Sequence, residues 1–298
     1  MLSSHSVVGR YAPSPTGRLH LGNLRTALFA WLQVRLQGGE FLLRFDDLDE
    51  PRVVAGSKEQ IMQDLRWLGI DWDGKPYSQT DHIASYKDAL GILSEKGLTY
   101  PCYCSRKDIQ QAASAPHGAT GVYPGTCREL TLEEQRLKQK NKQPAIRTQV
   151  ADKEVNFYDQ IQGSQQQSLV KNCGDFVVKR ADGLFAYQLA VVIDDIQQGV
   201  TDVLRGKDLL DSTARQMSLF DRFDSAAPRY WHVPLVKNDA GERMAKRDGS
   251  DSVATWQAQG RDAQELVAHF AKSVAFVDSE TNRISPNELL SRLTIESF

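Results

Sequence analysis

Residues 7–23, VVGRYAPSPTGRLHLGN, decide the fold of the first part of this 298-residue chain. The β-branched pair at the start predicts a buried strand, and the proline- and glycine-rich middle predicts a tight turn. The stretch that follows, LRTALFAWLQVRL, has helical periodicity, so the turn leads into a helix N-terminus. Such a terminus presents unpaired backbone N–H groups and favours anions, phosphates included.

Three residues of the turn would add to such an anion site. His20 and Asn23 supply side-chain donors, and Gly22 lets a flat ligand approach the backbone. The plainer interpretation is a common Pro/Gly turn with a surface histidine beside it. The patterns Gly-x-Gly-x-x-Gly and Gly-x-x-x-x-Gly-Lys-Ser/Thr are both absent from this stretch, so it supports neither a dinucleotide-binding fold nor a P-loop.

Composition limits the class of protein. Hydrophobic residues make up 41% of the chain, enough for a substantial core in one large or two ordinary domains. The net charge of −2 gives no global attraction to nucleic acid, so any RNA binding must use a local patch. No apolar run approaches the ~20 residues that span a bilayer, and the N-terminus lacks a signal-peptide pattern. We therefore expect a cytoplasmic monomer without membrane contact.

Strand and helix patterns alternate up to residue 100. EFLLRFDD at 40–47 predicts a buried strand that ends in acidic residues. In open α/β sheets, functional side chains gather at the carboxyl ends of strands such as this one. A helix follows, capped by Ser57 and ended by Gly69, and another over residues 81–96 is ended by Gly97. This alternation predicts an α/β fold with a Rossmann-like parallel sheet.

The pattern changes beyond residue 100. We assign 1–100 and 190–250 to two halves of the Rossmann-like domain, 101–189 to an inserted α+β module that contains the clustered cysteines, and 251–298 to a short helical region. Ala190 to Ile193 is apolar enough for a central strand that re-enters the sheet. The remaining predictions are a strand over 231–236 and helices over 208–223, 252–259, 263–276 and 286–293.

Three of the four cysteines lie close together in the sequence. Disulfides are rare in the cytoplasm, so the spacing of Cys102, Cys104 and Cys127 suggests a metal site. Structural zinc takes four tetrahedral ligands, and on ligand frequencies alone His117 is the fourth. The alternative is three buried free cysteines.

Two further signals lie far apart, HLGN at 20–23 and RMAKRDGS at 243–250. In combination they resemble the two signature motifs of class I aminoacyl-tRNA synthetases in their glutamyl form. RFDDLDEPR and VLRGKDLL also resemble segments of glutamyl-tRNA synthetases, so the likeness runs from about Val7 to Ala254. Two positions depart from the usual motifs, because Asn23 replaces a second histidine and Ala245 replaces a common serine.

The likeness narrows to one branch of this family. Full glutamyl-tRNA synthetases carry large anticodon-binding domains after the second motif, where only residues 251–298 remain here. With the cysteine segment CYCSR … YPGTCR, the chain resembles the glutamyl-Q tRNA(Asp) synthetases. That resemblance implies activation of L-glutamate by ATP and Mg²⁺ without tRNA, then transfer of glutamate to queuosine in the anticodon of tRNA(Asp).

The resemblance also implies residue roles. His20 and Lys246 would be catalytic, as donors to the triphosphate. The ATP-binding residues would be His20, Gly22, Asn23, Arg243, Met244 and Lys246. The glutamate-binding residues would be Arg10, Tyr11, Ala12, Pro13, Ser14, Asp46, Tyr187 and Arg205. For the fourth zinc ligand the family pattern points to Tyr123 instead of His117, and we favour Tyr123.

Contacts with RNA are the least defined by the sequence. Arg136, Lys138, Lys140 and Lys142 form a basic run that suits phosphates but equally suits a solvated helix face. Further candidates are Arg215, Arg222 and Arg229.

Two other functions are compatible with these motifs. One is a minimal glutamyl-tRNA synthetase that charges the 3′ end of tRNA(Glu), and the other is a non-catalytic, zinc-stabilised RNA-binding module. The retained His20, Lys246 and Arg10 argue against loss of catalysis. A nucleotidyltransferase acting on a small metabolite is disfavoured by the cysteine module and the glutamate-type residues.

Overall fold

A computed structural model of the chain describes residues 6–113, 122–235 and 252–298. The strands are β1 (Val8–Tyr11), β2 (Glu40–Phe45), β3 (Tyr77–Ser78), β4 (Thr99–Cys102), β5 (Ala145–Thr148), β6 (Glu154–Asp159), β7 (Gly163–Ser168), β8 (Phe176–Lys179), β9 (Asp202–Gly206) and β10 (Arg229–Val233). The α-helices are α1 (Leu21–Arg35), α2 (Ser57–Leu68), α3 (Ile83–Glu95), α4 (Arg106–Ala113), α5 (Leu132–Gln139), α6 (Leu169–Asn172), α7 (Tyr187–Gln197), α8 (Leu210–Arg222), α9 (Val253–Ala258), α10 (Ala263–Lys272) and α11 (Pro286–Arg292).

The large sheet has the order β3-β2-β1-β9-β10-β6-β7. Its strands pair in parallel, except that β7 is antiparallel to β6 at one edge. The chain leaves β1 toward β2 on one side and leaves β9 toward β10 on the other, so the strand order reverses between β1 and β9. Ligands of open α/β sheets bind at such a reversal, beside the carboxyl ends of the strands. The predicted α/β fold with a mostly parallel, Rossmann-like sheet is confirmed.

Helix α1 packs closely on β1 because Gly9 has no side chain. A Cβ atom at this position would lie 2.2 Å from Cγ2 of Val34. The buried face of α1 includes Leu24, Leu28 and Leu32, and α10 and α11 join the same core. This close packing fixes where α1 begins relative to the end of β1, which sets the geometry of the site between them.

The predicted helices of the first hundred residues are present, with one error at a cap. Gly69 and Gly97 end α2 and α3 in the left-handed conformation, at φ of 88° and 69°. Ser57 does not cap α2, because the N-cap is Gly56 and makes no side-chain cap bond. The Ser57 hydroxyl instead donates to the carbonyl of Pro15 at 2.7 Å, which ties the 13–16 turn to α2.

The predicted central strand at Ala190 to Ile193 is wrong, since these residues lie in α7. The run from Leu189 to Asp195 is buried throughout, so the helix lacks the polar face that would reveal its period. A short apolar run of this kind cannot be assigned to helix or strand by periodicity alone. The strand that occupies the centre of the sheet is β9, which the sequence analysis did not assign.

Segment 101–189 contributes to two sheets. Strands β4, β5 and β8 form a separate three-stranded antiparallel sheet, whereas β6 and β7 lie in the large sheet beside β10. The domain boundaries at residues 100 and 190 stay a prediction. The strand order shows that the segment between them contributes strands both to the large sheet and to the three-stranded sheet. Among the described helices, none has the length and apolar character that a bilayer crossing requires.

Candidate active site

A cavity of about 390 Å³ lies where β1 and β9 end and α1 begins. It brings together every described residue that the sequence analysis assigned to glutamate or ATP. The lining residues assigned to glutamate are Arg10, Tyr11, Ala12, Pro13, Ser14, Asp46, Tyr187 and Arg205. Those assigned to ATP are His20, Gly22 and Asn23. The individual roles of these residues stay predictions.

His20 is the N-cap of α1. Its Nδ1 accepts a hydrogen bond from the backbone N–H of Asn23 at 3.2 Å, so the neutral ring carries its proton on Nε2. The helix N-terminus predicted near Leu21 is therefore present, and its first turn lines the cavity. A ring held in this way is suited to donate to an anion at the helix end.

Four predicted site residues lie outside the described residues, namely Arg243, Met244, Lys246 and His117. The described residues on either side of segment 236–251 lie at the cavity. Leu235 lines it, and the backbone of Ser252 forms an isolated antiparallel bridge with His20. The described residues that flank the second motif in sequence therefore lie close to the first motif.

Beneath the cavity lies a buried network of alternating charges. Arg10 Nε donates to Asp195 at 3.2 Å, and Arg44 donates to the same carboxylate oxygen at 2.6 Å. Burial alone would raise the pKa of Asp195, but Arg10 and Arg44 together hold this pKa below its ordinary value. Asp195 is therefore a carboxylate shared by two arginines, and it fixes the position of Arg10.

Asp46 is an acidic side chain of the cavity wall and one of the residues predicted to bind glutamate. Its carboxylate accepts from Arg44 Nε at 2.9 Å. Burial raises the pKa of Asp46 to about 6, although Arg44 opposes this effect. The group is thus ionised at neutral pH but protonates at mildly acidic pH.

Arg205 differs from Arg10 because its partners are neutral. Its guanidinium donates to His232 Nε2 at 2.9 Å, and three other neutral oxygens also accept from it. Those oxygens are Gln216 Oε1 at 2.7 Å, Thr213 Oγ1 at 2.9 Å and the Leu209 carbonyl at 3.3 Å. The side chain is only 5% exposed, and no ion pair joins it to a carboxylate within the described ranges. A buried cation balanced only by neutral dipoles favours an anionic ligand.

Sequence reasoning missed two arginines of this region. Arg25 lines the cavity and donates to the carbonyl of Pro234 at 2.9 Å, while its buried Nε has no protein partner. Its position three residues after Gly22, on the same helical face, was the available signal. Arg44 is fully buried, and the adjacent Asp194 and Asp195 in an apolar run indicated that some cation must pair with them.

The three predicted cysteine ligands also converge. The Sγ atoms of Cys102, Cys104 and Cys127 lie within 4.8 Å of one another. The hydroxyl of Tyr123 is 3.3 Å from Cys102 Sγ and 3.8 Å from Cys104 Sγ. Three thiols and one phenol oxygen around a common point form a donor set of the number that structural zinc requires.

Backbone contacts position Tyr123 in this cluster. Its backbone forms a bridge with Gly174, where a Cβ atom would lie 2.2 Å from the Tyr123 carbonyl oxygen. The guanidinium of Arg147 lies 3.7 Å above the Tyr123 ring and donates to Cys102 Sγ at 3.2 Å. Burial opposes ionisation of Cys102, but hydrogen bonds from Tyr123 and Arg147 lower its pKa overall.

The candidate RNA contacts fall into two groups. Arg136, Lys138 and Lys140 are exposed on or next to α5, as a phosphate-binding patch requires. Arg222 is unsuited to this role, because its guanidinium donates to Thr148 Oγ1 and the Gln149 carbonyl.

Comparison with known proteins places the chain in a family. The sequence model for the catalytic domain of class I tRNA synthetases of the E and Q type matches residues 6–292. The chain belongs to this class I tRNA synthetase family. The structures agree, since a crystal structure of a glutamate tRNA ligase from Elizabethkingia meningosepticum in complex with its amino acid superposes with a TM-score of 0.84. That class I ligase is 26% identical, and the match covers 98% of this chain and 66% of the ligase chain.

Relatives within the class I family are closer in sequence. A glutamyl-Q tRNA(Asp) synthetase from Symbiobacterium thermophilum is 46% identical over 294 residues, which cover 95% of this chain and 90% of the relative. A protein of the same name from Nocardia farcinica is 47% identical over 267 residues, covering 89% and 84% of the two chains. The resemblance derived from the motifs is thereby confirmed.

Proposed function

We propose that this chain activates L-glutamate with ATP in the absence of tRNA and transfers the glutamate to queuosine in the anticodon of tRNA(Asp). The observation that carries the proposal is the cavity, where two buried arginines and a carboxylate stand beside the N-terminus of α1. The names of the relatives support the same acceptor. Charging of tRNA(Glu) and a purely RNA-binding role are not favoured by these relatives.

The amino-acid subsite follows from charge. Arg205 and Arg10 would bind the side-chain carboxylate of glutamate, since a guanidinium pairs with a carboxylate in a bidentate manner. Asp46 would accept hydrogen bonds from the α-ammonium group, and Tyr187 would add its hydroxyl from the start of α7. Glutamine should be rejected, because its neutral amide leaves an arginine charge without a partner.

The first chemical step needs no covalent enzyme intermediate. The α-carboxylate of glutamate attacks the α-phosphorus of ATP, pyrophosphate leaves, and glutamyl-adenylate forms. Negative charge grows on the phosphoryl oxygens and on pyrophosphate, so positioned donors lower the barrier. We assign this role to His20, Lys246 and the N-terminus of α1. By analogy with oxyanion donors, Lys246→Ala should raise the barrier by about 3 kcal/mol.

We further propose that Cys102, Cys104, Tyr123 and Cys127 hold a structural zinc ion. The ion would fix the three-stranded sheet near β4, and it takes no part in the chemical step. Metal analysis of protein purified without chelators tests this assignment. Protein without zinc would contradict it.

Two assays test the proposed function. Glutamate-dependent exchange between ATP and pyrophosphate without tRNA should be measurable, and glutamine should support it at least about 100-fold less well. Transfer of glutamate should then occur on queuosine-containing tRNA(Asp) and fail on queuosine-free tRNA(Asp) and on tRNA(Glu). Equal exchange with glutamine would refute the amino-acid subsite, and charging of tRNA(Glu) would refute the acceptor.

A further inference from the structure

The Arg205 side chain is one end of a buried chain of hydrogen bonds that the proposed chemistry does not use. Arg205 Nε donates to His232 Nε2 at 2.9 Å, and His232 Nδ1 lies 2.5 Å from Oδ2 of Asp159. His232 and Asp159 are both fully buried, on β10 and at the end of β6. The hydrogen bonds thus link the neighbouring strands β6 and β10 to the cavity through the guanidinium of Arg205.

The direction of every hydrogen bond in this chain is fixed. Arginine only donates, so Nε2 of His232 must accept, and the ring proton must sit on Nδ1 where Asp159 accepts it. Burial lowers the pKa of His232, which favours this neutral ring. Burial opposes ionisation of Asp159, but its bonds to His232 and Gln162 outweigh burial and lower its pKa. The order is therefore carboxylate, neutral imidazole, guanidinium.

The carboxylate of Asp159 cannot turn freely. Its Oδ1 atom accepts from three backbone N–H groups, those of Ile161 at 3.1 Å, Gln162 at 2.8 Å and His232 at 3.2 Å. Only Oδ2 faces the imidazole. The loop after β6 therefore presets which atom of Asp159 meets His232.

We propose that Asp159 and His232 are positioning residues for glutamate recognition: they hold Nε2 of His232 as an acceptor, which fixes the guanidinium of Arg205 for the substrate carboxylate. This inference rests on the proposed function, because it concerns the same amino-acid subsite. Neither residue lines the cavity, so both would act only through Arg205.

The substitution Asp159→Asn separates positioning from packing. Because the backbone N–H groups require an oxygen at the Oδ1 position, the amide NH₂ group must take the Oδ2 position and donate to Nδ1. The imidazole proton is then forced to Nε2, where it faces the Nε–H of Arg205. Two donors now oppose each other, although the size of the side chain is almost unchanged.

The experiment measures pyrophosphate exchange with the full chain. For Asp159→Asn we expect the KM for glutamate to rise by about 10- to 100-fold, while the KM for ATP changes by less than about twofold. Preference for glutamate over glutamine should fall by about tenfold, because the guanidinium no longer holds its plane.

A matched control is Asp202→Asn, on the same strand as Arg205. Asp202 is a fully buried carboxylate that accepts from Gln33, Trp231 and Arg229, at 3.1, 3.1 and 3.0 Å, and it does not contact Arg205. This variant should lose stability without a change in either KM value. If Asp159→Asn and Asp202→Asn change the KM for glutamate equally, the effect comes from a general loss of stability, and the proposal is overturned.

A second pair of variants covers the case in which Asp159→Asn does not fold. His232→Gln can present its amide NH₂ to Asp159 and its carbonyl to Arg205, so it keeps the order of donors and acceptors. We expect glutamate KM within about fivefold of the unaltered chain for His232→Gln, but a rise of at least about tenfold for His232→Leu. Equal KM values for these two variants would overturn the inference.

The proposed function has a separate outcome. If the unaltered chain shows no glutamate-dependent exchange, the proposed function fails. If exchange occurs and Arg205→Ala raises the KM for glutamate, whereas Asp159→Asn leaves it unchanged, the function stands and the positioning role is refuted.

Discussion

The cavity between β1 and β9 and the cysteine cluster at residues 102–127 hold polar side chains in different ways. In the cavity the arginines assigned to glutamate are held by protein partners, as Asp195 holds Arg10 at 3.2 Å and His232 holds Arg205 at 2.9 Å. In the cluster the sulfur atoms face one another, and Cys104 Sγ lies 3.6 Å from Cys127 Sγ. The cavity is thus preformed by the sheet, whereas the cluster is completed by the metal that we propose.

Because the two regions are built differently, we expect the cysteine cluster to affect stability and the cavity to affect substrate binding. The cysteine cluster should support the local fold and leave substrate binding unchanged, since it contributes no residue to the cavity lining. The arginines of the cavity should determine substrate binding, since their own network persists without the substrate. Each region can therefore be altered to test whether only the expected property responds.

The largest expected effect is the loss of zinc. Removal by a chelator should lower the free energy of unfolding by about 4 kcal/mol, the value for a ligand present at about a thousandfold above its Kd. The KM for glutamate should change by less than about twofold. Thermal unfolding combined with metal analysis measures the first effect, and Cys173→Ser, a cysteine outside the cluster, serves as the control. A loss of glutamate affinity on zinc removal would contradict the expectation that the cluster affects only stability.

Next in size is Arg205→Ala. Removing the cation that meets the substrate carboxylate should lower kcat/KM for glutamate by about 100-fold, which corresponds to about 3 kcal/mol. The variant Arg229→Ala is the matched control, because this arginine pairs with Asp202 away from the cavity. Steady-state exchange kinetics decide the result, and an unchanged kcat/KM for Arg205→Ala would remove this residue from the subsite.

A smaller effect is expected from pH. Burial raises the pKa of Asp46 to about 6, so the group becomes neutral below that pH and no longer attracts the substrate ammonium. We expect kcat/KM for glutamate to be constant above pH 7 and to fall, by up to about tenfold per pH unit, below pH 6. A profile that stays flat down to pH 5 would contradict this role.

Ionisation of Asp46 should lower the stability of the fold, although it favours glutamate binding. The pKa of Asp46 in the folded chain exceeds the ordinary value of 3.8, so its ionisation disfavours folding as pH rises from about 4 through 6. Asp46→Asn should therefore unfold at a higher temperature at pH 7 while it binds glutamate less well. A lower unfolding temperature would show that the ionised carboxylate stabilises the fold through Arg44.

The smallest effect is expected at Ser57. Its hydroxyl donates to the Pro15 carbonyl, which also accepts from the Val54 N–H at 3.0 Å, so Ser57→Ala removes one of two hydrogen bonds to this acceptor. The free energy of unfolding should fall by about 1 kcal/mol, measured by urea denaturation. A loss below about 0.3 kcal/mol would show that the turn before α1 does not depend on this bond.

Several features were predictable from local patterns. The strand, turn and helix around residues 7–23 follow from periodicity and from proline and glycine, and the structure contains all three. Residues Ala190 to Ile193 of α7 were predicted as a strand, because a buried apolar run shows no alternation of polar and apolar faces from which a helical period could be read. The cap at Ser57 was misassigned because a hydroxyl can serve a distant carbonyl as readily as a helix end.

The amino-acid sequence by itself determined the family, most of the described residues that line the cavity and the three cysteines that cluster, because each depends on side-chain type and order along the chain. Only the tertiary structure decided which charges pair. Arg10 shares Asp195 with Arg44 because α7 packs beside β1 and β2, and Arg205 reaches Asp159 through His232 because β9, β10 and β6 are neighbours in the sheet. Hydrogen bonds act over about 3 Å, so their partners are set by packing and not by spacing along the chain.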